Sequence, residues 1–289
     1  MVEVESKPWF EIVENMDNDD YRAYPAISKS DLDKINRSIA HWKAPNSSPT
    51  PEMKEGSAFH CYVLEPWHFK NRYKEAPKLT KNSAAETKWF GAIENKGFLP
   101  ITKDQLSRFE CMADNLWSHP KASRLLKPLN PESVEVSYFW ETEVYIKDSL
   151  RSGSFHTIKS KCRVDHTNAY ENVLIDLKTT QDGSKNNFPM SVAKYRYHVQ
   201  AAWYREGFFR THEVEEYPEF AFICVEKKAP FNVSVLTLGE RSLAQGSLEA
   251  KADLAEYAFW LNEPEDQRVE GYSVDIQEIE LPNWAFKEN

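Results

Sequence analysis

The chain of 289 residues is poor in the features that mark several whole classes of protein. It has four cysteines, Cys61, Cys111, Cys162 and Cys224, far apart and with no C-x-x-C pair. That spacing suits neither a zinc site nor a disulfide framework, and it argues against an iron–sulfur cluster, which needs clustered thiolates. Four reduced thiols, used mostly for packing, are expected. No apolar run approaches the roughly 20 residues that span a bilayer. The opening residues, Met1-Val2-Glu3-Val4-Glu5, lack the basic-then-apolar layout of a secretory signal. A cytoplasmic protein without a membrane partner is expected. Internal repeats and low-complexity segments are lacking as well.

Positive charge is also scarce. With 36 Lys+Arg against 45 Asp+Glu the chain carries −9 at pH 7, opposite to the usual balance of a nucleic-acid-binding protein. The deficit is uneven, because from Lys147 to Arg210 basic residues outnumber acidic ones by 11 to 6. Charge therefore permits DNA binding in that stretch without establishing it. The 41% hydrophobic and 28% charged content is that of an ordinary globular chain. At this length the core can bury roughly 75% of the unfolded surface, so one domain over residues 1–289 is expected.

Helix signals come first along the chain and strand signals later. Ser30 is a plausible N-cap for Asp31-Leu32-Asp33-Lys34-Ile35. Prolines 45, 49 and 51 mark a loop, and helices are expected over Glu52–Leu64 and Asn82–Asn95. Thr102-Lys103-Asp104-Gln105 has the form of a capping box opening a helix through Trp117. From Ser133 the period shifts to two: Val134, Val136, Tyr138 and Trp140 alternate with Glu135, Ser137 and Phe139. Strands around Lys161–His166 and Val173–Thr179 follow. Then come one helix from Pro189 to Arg210, strands over Phe220–Glu226 and Asn232–Leu238, and a closing helix over Ser242–Leu261. The expected fold is α/β (α+β): a mainly helical part over residues 1–130, then a β-β-β-α-β-β-α core over 131–289.

The most informative stretch is Val173-Leu174-Ile175-Asp176-Leu177-Lys178-Thr179-Thr180. Alternation puts Val173, Ile175 and Leu177 on one face and Asp176 with Lys178 on the other. Such a pair could be a surface ion pair worth only ~0–1 kcal/mol. A hairpin turning at Tyr170–Glu171, however, sets Asp165 opposite Asp176. Like charges facing across strands are destabilising unless something positive lies between them. Magnesium, which favours one or two carboxylates with water and phosphate oxygens, is the natural filler, and the Leu177 carbonyl could add a ligand. Lys178 would stand beside a bound water, orienting it, or deprotonating it if its pKa were lowered.

The helix that follows carries Tyr195-Arg196-Tyr197-His198-Val199-Gln200-Ala201-Ala202-Trp203-Tyr204. Tyr197, Gln200 and Tyr204 share a face at spacings of three and four. Packing on the sheet accounts for Trp203 and Phe208, whereas the polar tips of Gln200 and Tyr204 suit a phosphate or a base. Arg196 could add a DNA-backbone contact. His60, in Gly56-Ser57-Ala58-Phe59-His60-Cys61, follows small residues that would let another segment approach closely. A lone helical histidine is more often an ordinary packed or surface residue.

Together Gly56–His60, Glu135, Cys162-Arg163-Val164-Asp165, Ile175–Thr180 and Tyr195–Tyr204 resemble the ordered motifs of the PD-(D/E)XK nuclease superfamily. They are similar in particular to RecE-type exonucleases, the exonuclease VIII group of phages and prophages. The likeness reaches Ile27-Ser28-Lys29-Ser30 at one end and Leu281-Pro282-Asn283-Trp284-Ala285 at the other. The resemblance implies a restriction-endonuclease-like core with a central mixed sheet flanked by helices. It implies magnesium, with manganese able to substitute, held by His60, Asp165, Asp176 and the Leu177 carbonyl. It further implies Lys178 as catalytic lysine, with Glu135, Gln200 and Tyr204 in the catalytic set. Arg163, Arg196, Tyr197, Gln200 and Tyr204 are the candidate DNA contacts.

Also implied are 5′ to 3′ digestion of linear duplex DNA, 3′ tails passed to a RecT-like single-strand annealing protein, and a ring-shaped homo-oligomer around DNA. A ring would let an acidic exterior coexist with a basic channel. The competing readings are an endonuclease or RecB-like single-strand nuclease, and a catalytically silent DNA-binding scaffold.

Overall fold

The computed structural model describes residues 9–78, 83–147, 153–212, 214–273, 275–282 and 285–286. Asn82, Asn283, Trp284 and the stretch Met1–Glu5, all used above, lie outside the described residues. The N-terminal part runs β1 (Phe10–Val13), α1 (Asn18–Ala23), α2 (Lys29–Ile35), α3 (Ile39–Lys43), α4 (Pro51–Leu64) and α5 (Pro66–Arg72). It continues with β2 (Tyr73–Glu75), α6 (Ala84–Glu94), β3 (Leu99–Ile101), α7 (Lys103–Ser118) and α8 (Pro120–Leu125). Then come β4 (Val134–Lys147), β5 (Gly153–Asn168), β6 (Val173–Thr180), α9 (Phe188–Lys194), α10 (Tyr197–Thr211), β7 (Glu219–Glu226), β8 (Val233–Thr237) and α11 (Glu240–Asn262). None of the described helices is long and apolar enough to cross a membrane.

Local chemistry explains most boundaries. Thr50 caps α4 by accepting from the Met53 N–H, with Pro51 at the first helical position, where its missing N–H costs nothing. Thr102 and Gln105 form the reciprocal capping box that opens α7. The cap of α2 is Ser28 rather than Ser30: Ser28 and Asp31 satisfy each other's backbone N–H groups, which starts the helix two residues early. The helix expected from Pro189 to Arg210 is two, because Arg196 adopts the left-handed conformation (φ 52°) between α9 and α10. Strands β4 and β5 extend past Trp140 and before Lys161 as a long hairpin, where exposed charges such as Glu143 and Lys159 hide the pattern.

Six strands form one mixed sheet in the order β1-β4-β5-β6-β7-β8, antiparallel except for the β6–β7 pair. Both faces are covered, which is why β6 and β7 read as nearly continuous apolar runs. Leu174, Phe220 and Phe222 face a core shared with α2, α10 and α11, around Trp140, Trp203, Phe208 and Leu254. Ile175, Leu177 and Ile223 face the other core, with Phe59, Phe109, Leu116 and Leu125 from α4, α7 and α8. Helix α10 lies unusually close to its neighbours. A Cβ on Gly207 would stand 2.8 Å from Cys162 Sγ, and one on Gly246 of α11 would stand 2.1 Å from the His198 carbonyl oxygen. Trp203 is buried, its indole donating to the Lys161 carbonyl at 3.0 Å, as expected of a packing residue. Cys61, Cys162 and Cys224 are buried and Cys111 is exposed, all as free thiols.

Candidate metal centre

Three adjacent strands each deliver one carboxylate: Glu135 from β4, Asp165 from β5 and Asp176 from β6. The sheet is interrupted where they stand. The β4–β5 ladder pairs Val136 with Val164 and Val134 with His166 but omits the step between, Glu135 and Asp165. Val136 belongs to one core and Val134 to the other, so the alternation of faces changes phase there. Glu135 accomplishes the change with a left-handed backbone, φ 53°. For a glutamate that conformation costs about 1–3 kcal/mol and persists only where the surroundings enforce it. Alternation along the strand sets Glu135 on the polar face without deciding whether it reaches the metal site; the phase change brings its carboxylate to His60 and Asp165.

The β5–β6 ladder stops at His166–Ile175, one step short of Asp165 and Asp176. Continued by that step, its register sets the two aspartates opposite each other, which is the arrangement the hairpin predicted. The freed Leu177 N–H is taken by Asp165 Oδ2 at 2.8 Å. Helix α4 crosses this end of β6, where a Cβ on Gly56 would lie 3.5 Å from Thr179 Oγ1. The same helix brings His60 Nδ1 to 3.5 Å from Asp165 Oδ2. His60, Glu135 and Asp165 each present a ligand atom within 4.8 Å of the others.

Asp176 is 1% exposed and lies behind that trio. Its Oδ1 accepts from Gln200 Nε2 at 2.5 Å. Lys178 Nζ is paired with its Oδ2 at 2.7 Å. A histidine and two carboxylates with ligand atoms within 4.8 Å of one another, next to the strand that carries the buried Asp176 carboxylate, make the oxygen-rich donor set of a divalent cation. The residues therefore fit the metal that the fold implies.

Electrostatics point the same way. Burial, and after it Asp165, raises the Glu135 carboxyl to about 8. Burial and then Asp176 raise Asp165 to about 6, against the pull of His60 and Lys178. Without a cation, this cluster holds protons. Burial depresses Lys178, but Asp176, Asp165 and Tyr197 outweigh it and the net shift is upward. With no cation bound, the neighbouring carboxylates favour the ammonium form, which suits orienting a water rather than deprotonating it. Its Nζ sits 4.6 Å from the Tyr197 ring centroid. Tyr204 is held fully protonated by burial first, with Tyr21, Cys162, Asp176 and Asp165 adding to it.

Two expected DNA contacts have other partners. Arg196 bonds to Asp253 at 2.7 Å, Glu249 at 3.2 Å and Asp33 at 3.3 Å. Its guanidinium ties the left-handed turn to α2 and α11. Arg163 stacks on Tyr21, 4.2 Å from the ring centroid, and donates to Ser137 Oγ and the Met16 carbonyl. It nevertheless lines, with His60 and Glu135, a cleft of about 970 Å³ between α1, α4–α5 and the β3–α6 region. Lys29, in the Ile27-Ser28-Lys29-Ser30 motif, bridges Asp33 and the Tyr195 carbonyl at 2.6 and 2.8 Å and so ties α2 to the end of α9.

No curated protein sequence matches the chain. Among solved structures it is similar to a "putative exonuclease" from Eubacterium rectale, with a TM-score of 0.54 and 12% identity over 85% of this chain and 88% of that one. At that identity the likeness concerns the fold, and neither comparison reaches the finer RecE-type grouping. A family model described as a PDDEXK-like domain of unknown function (DUF3799) matches residues 23–268. The chain belongs to that PDDEXK-like family, and through it to the PD-(D/E)XK nuclease superfamily.

Proposed function

We propose that this protein is a magnesium-dependent exodeoxyribonuclease acting on the ends of linear double-stranded DNA. The observation that carries the reading is the stack of Glu135, Asp165 and Asp176 at a break in the sheet, with Lys178 beside it. His60, Glu135 and Asp165, whose ligand atoms cluster, would hold the metal together with Asp176 and the Leu177 carbonyl; manganese would substitute. Once bound, the ion would polarise a phosphate oxygen and lower the pKa of a water. Lys178, already charged, would orient that water and stabilise the negative charge developing on the scissile phosphate. Gln200 fixes the Asp176 carboxylate through Oδ1, leaving Oδ2 to Lys178 and the cation. The Tyr204 hydroxyl, in the field of both aspartates, would add a donor toward the phosphate.

The resemblance to RecE-type enzymes supports 5′ to 3′ polarity, 3′-tailed products, a single-strand annealing partner and a ring of subunits. Nuclease families sharing this centre also include endonucleases, so the decisive test is topological. Magnesium should drive release of nucleotides from linear duplex DNA and leave a covalently closed circle of the same sequence intact. Equal loss of the circle would replace the exonuclease by an endonuclease.

A further inference from the structure

The cleft that opens on His60 and Glu135 is badly furnished for holding a polyanion by charge. Among the described residues, its lining has four Lys or Arg against six Asp or Glu. Arg72, one of the four, is paired with Glu65 at 2.7 Å. Cation–phosphate pairing, the usual main source of DNA affinity, is therefore weak here. The opposite wall is apolar and aromatic: Trp67 from α5, Phe90 from α6 and Leu99 from β3. Helix α6 has no buried residue at all and packs mainly on β3. Its Phe90 and Glu94, four residues apart and so on one face, both front the cleft. Trp67 and Phe90 are only half-buried, so their rings retain free surface.

We propose that Trp67 and Phe90 form a stacking subsite for unpaired nucleobases of the strand whose phosphate lies at the metal centre. The inference rests on the nuclease reading. Stacking on aromatic faces is indifferent to sequence and to charge, which suits a cleft whose own charge is unfavourable. It also requires bases that are already unpaired, so a frayed or single-stranded end would be engaged in preference to an intact duplex.

The test separates this subsite from catalysis. Binding of fluorescein-labelled dT12 to the full chain would be measured by anisotropy in calcium, without turnover, beside an abasic oligomer of equal length and charge. Wild-type protein should prefer dT12 by at least ten-fold. Trp67→Ala and Phe90→Ala should each reduce that preference about ten-fold, since each ring stacks about one base. Phe90→Tyr should retain it, and the abasic oligomer should bind all variants alike. Equal wild-type affinity for the two oligomers, or an unchanged preference in both alanine variants, would overturn the proposal. Preference for dT12 in a protein that releases no nucleotides from any DNA with magnesium would leave the subsite standing and remove the nuclease reading.

Discussion

The molecule has two clusters of charge, each centred on one buried aspartate, Asp253 or Asp176, and built on opposite logic. Around Arg196, one guanidinium meets Asp33, Glu249 and Asp253, while Asn36 and His198 bond to the remaining carboxylate oxygens. Around Asp165, three carboxylates face one lysine and one histidine, so negative charge is in excess. The first joins α2 and α11 and the second joins α4 to β4, β5 and β6, and both draw on the Tyr195–Tyr204 run, through Arg196 and Gln200. A polar network that closes on itself holds elements together; one left open, with charge in excess, is held in place by the fold at a cost. The difference supports the proposal that the second is the chemical centre, on grounds separate from the sequence motifs.

The hardest blow to that comparison would come from Lys178. Lys178→Ala should reduce magnesium-dependent nucleotide release by about a thousand-fold or more, as expected when a charged stabiliser of the transition state is lost. DNA binding in calcium should change little, because the ammonium is directed at the carboxylates and the Tyr197 ring rather than at the cleft mouth. Full activity in this variant, measured as acid-soluble nucleotide, would show that the open cluster is not the catalytic one.

Next in size, neutralising one charge in each cluster should move stability in opposite directions. Arg196→Ala leaves Asp253, 3% exposed, without its cation, and should cost about 2–4 kcal/mol of unfolding free energy, since Arg196 is not fully buried. Glu135→Gln keeps the side-chain shape and removes a like charge from beside Asp165. It should stabilise the metal-free protein by about 1–3 kcal/mol at pH 8, while weakening the response to magnesium. Urea titrations of both variants in EDTA read the two signs directly. Destabilisation by both would mean that the acidic stack is a structural network like the other.

How much of this could be read from the sequence depends on how local each cause is. The apolar run of β6 and the Thr102 capping box are set by neighbouring residues, and both stand as expected. The facing of Asp165 and Asp176 follows from a short hairpin, so counting back from its turn sufficed. Glu135 was ambiguous because its orientation depends on a left-handed residue that no glycine announces. The partners of Arg196 are hidden in the sequence for a related reason. Its partners Asp33, Glu249 and Asp253 come from two helices distant in sequence, and only the packing of α2 and α11 on α10 shows that its charge is already taken.

The smallest effect sharpens the comparison through pH. In the metal-free protein, the Glu135 and Asp165 carboxyls hold protons to about pH 8 and about pH 6, whereas in the unfolded chain they release them near 4.5 and 3.8. The folded state binds more protons across that interval, so this cluster contributes stability at low pH that is lost as pH rises through the folded values. A divalent cation competes with those protons, so its stabilising effect must grow over the same window. The shift in melting temperature between magnesium and EDTA should be near zero at pH 5 and reach a few degrees by pH 8. Taking the difference cancels groups outside the cluster, including buried His166, whose depressed pKa of about 4 destabilises the fold on the acid side. A magnesium shift that is flat with pH would place the cation away from these carboxylates. In Glu135→Gln the rise should be smaller and its midpoint nearer pH 6, where Asp165 alone releases its proton.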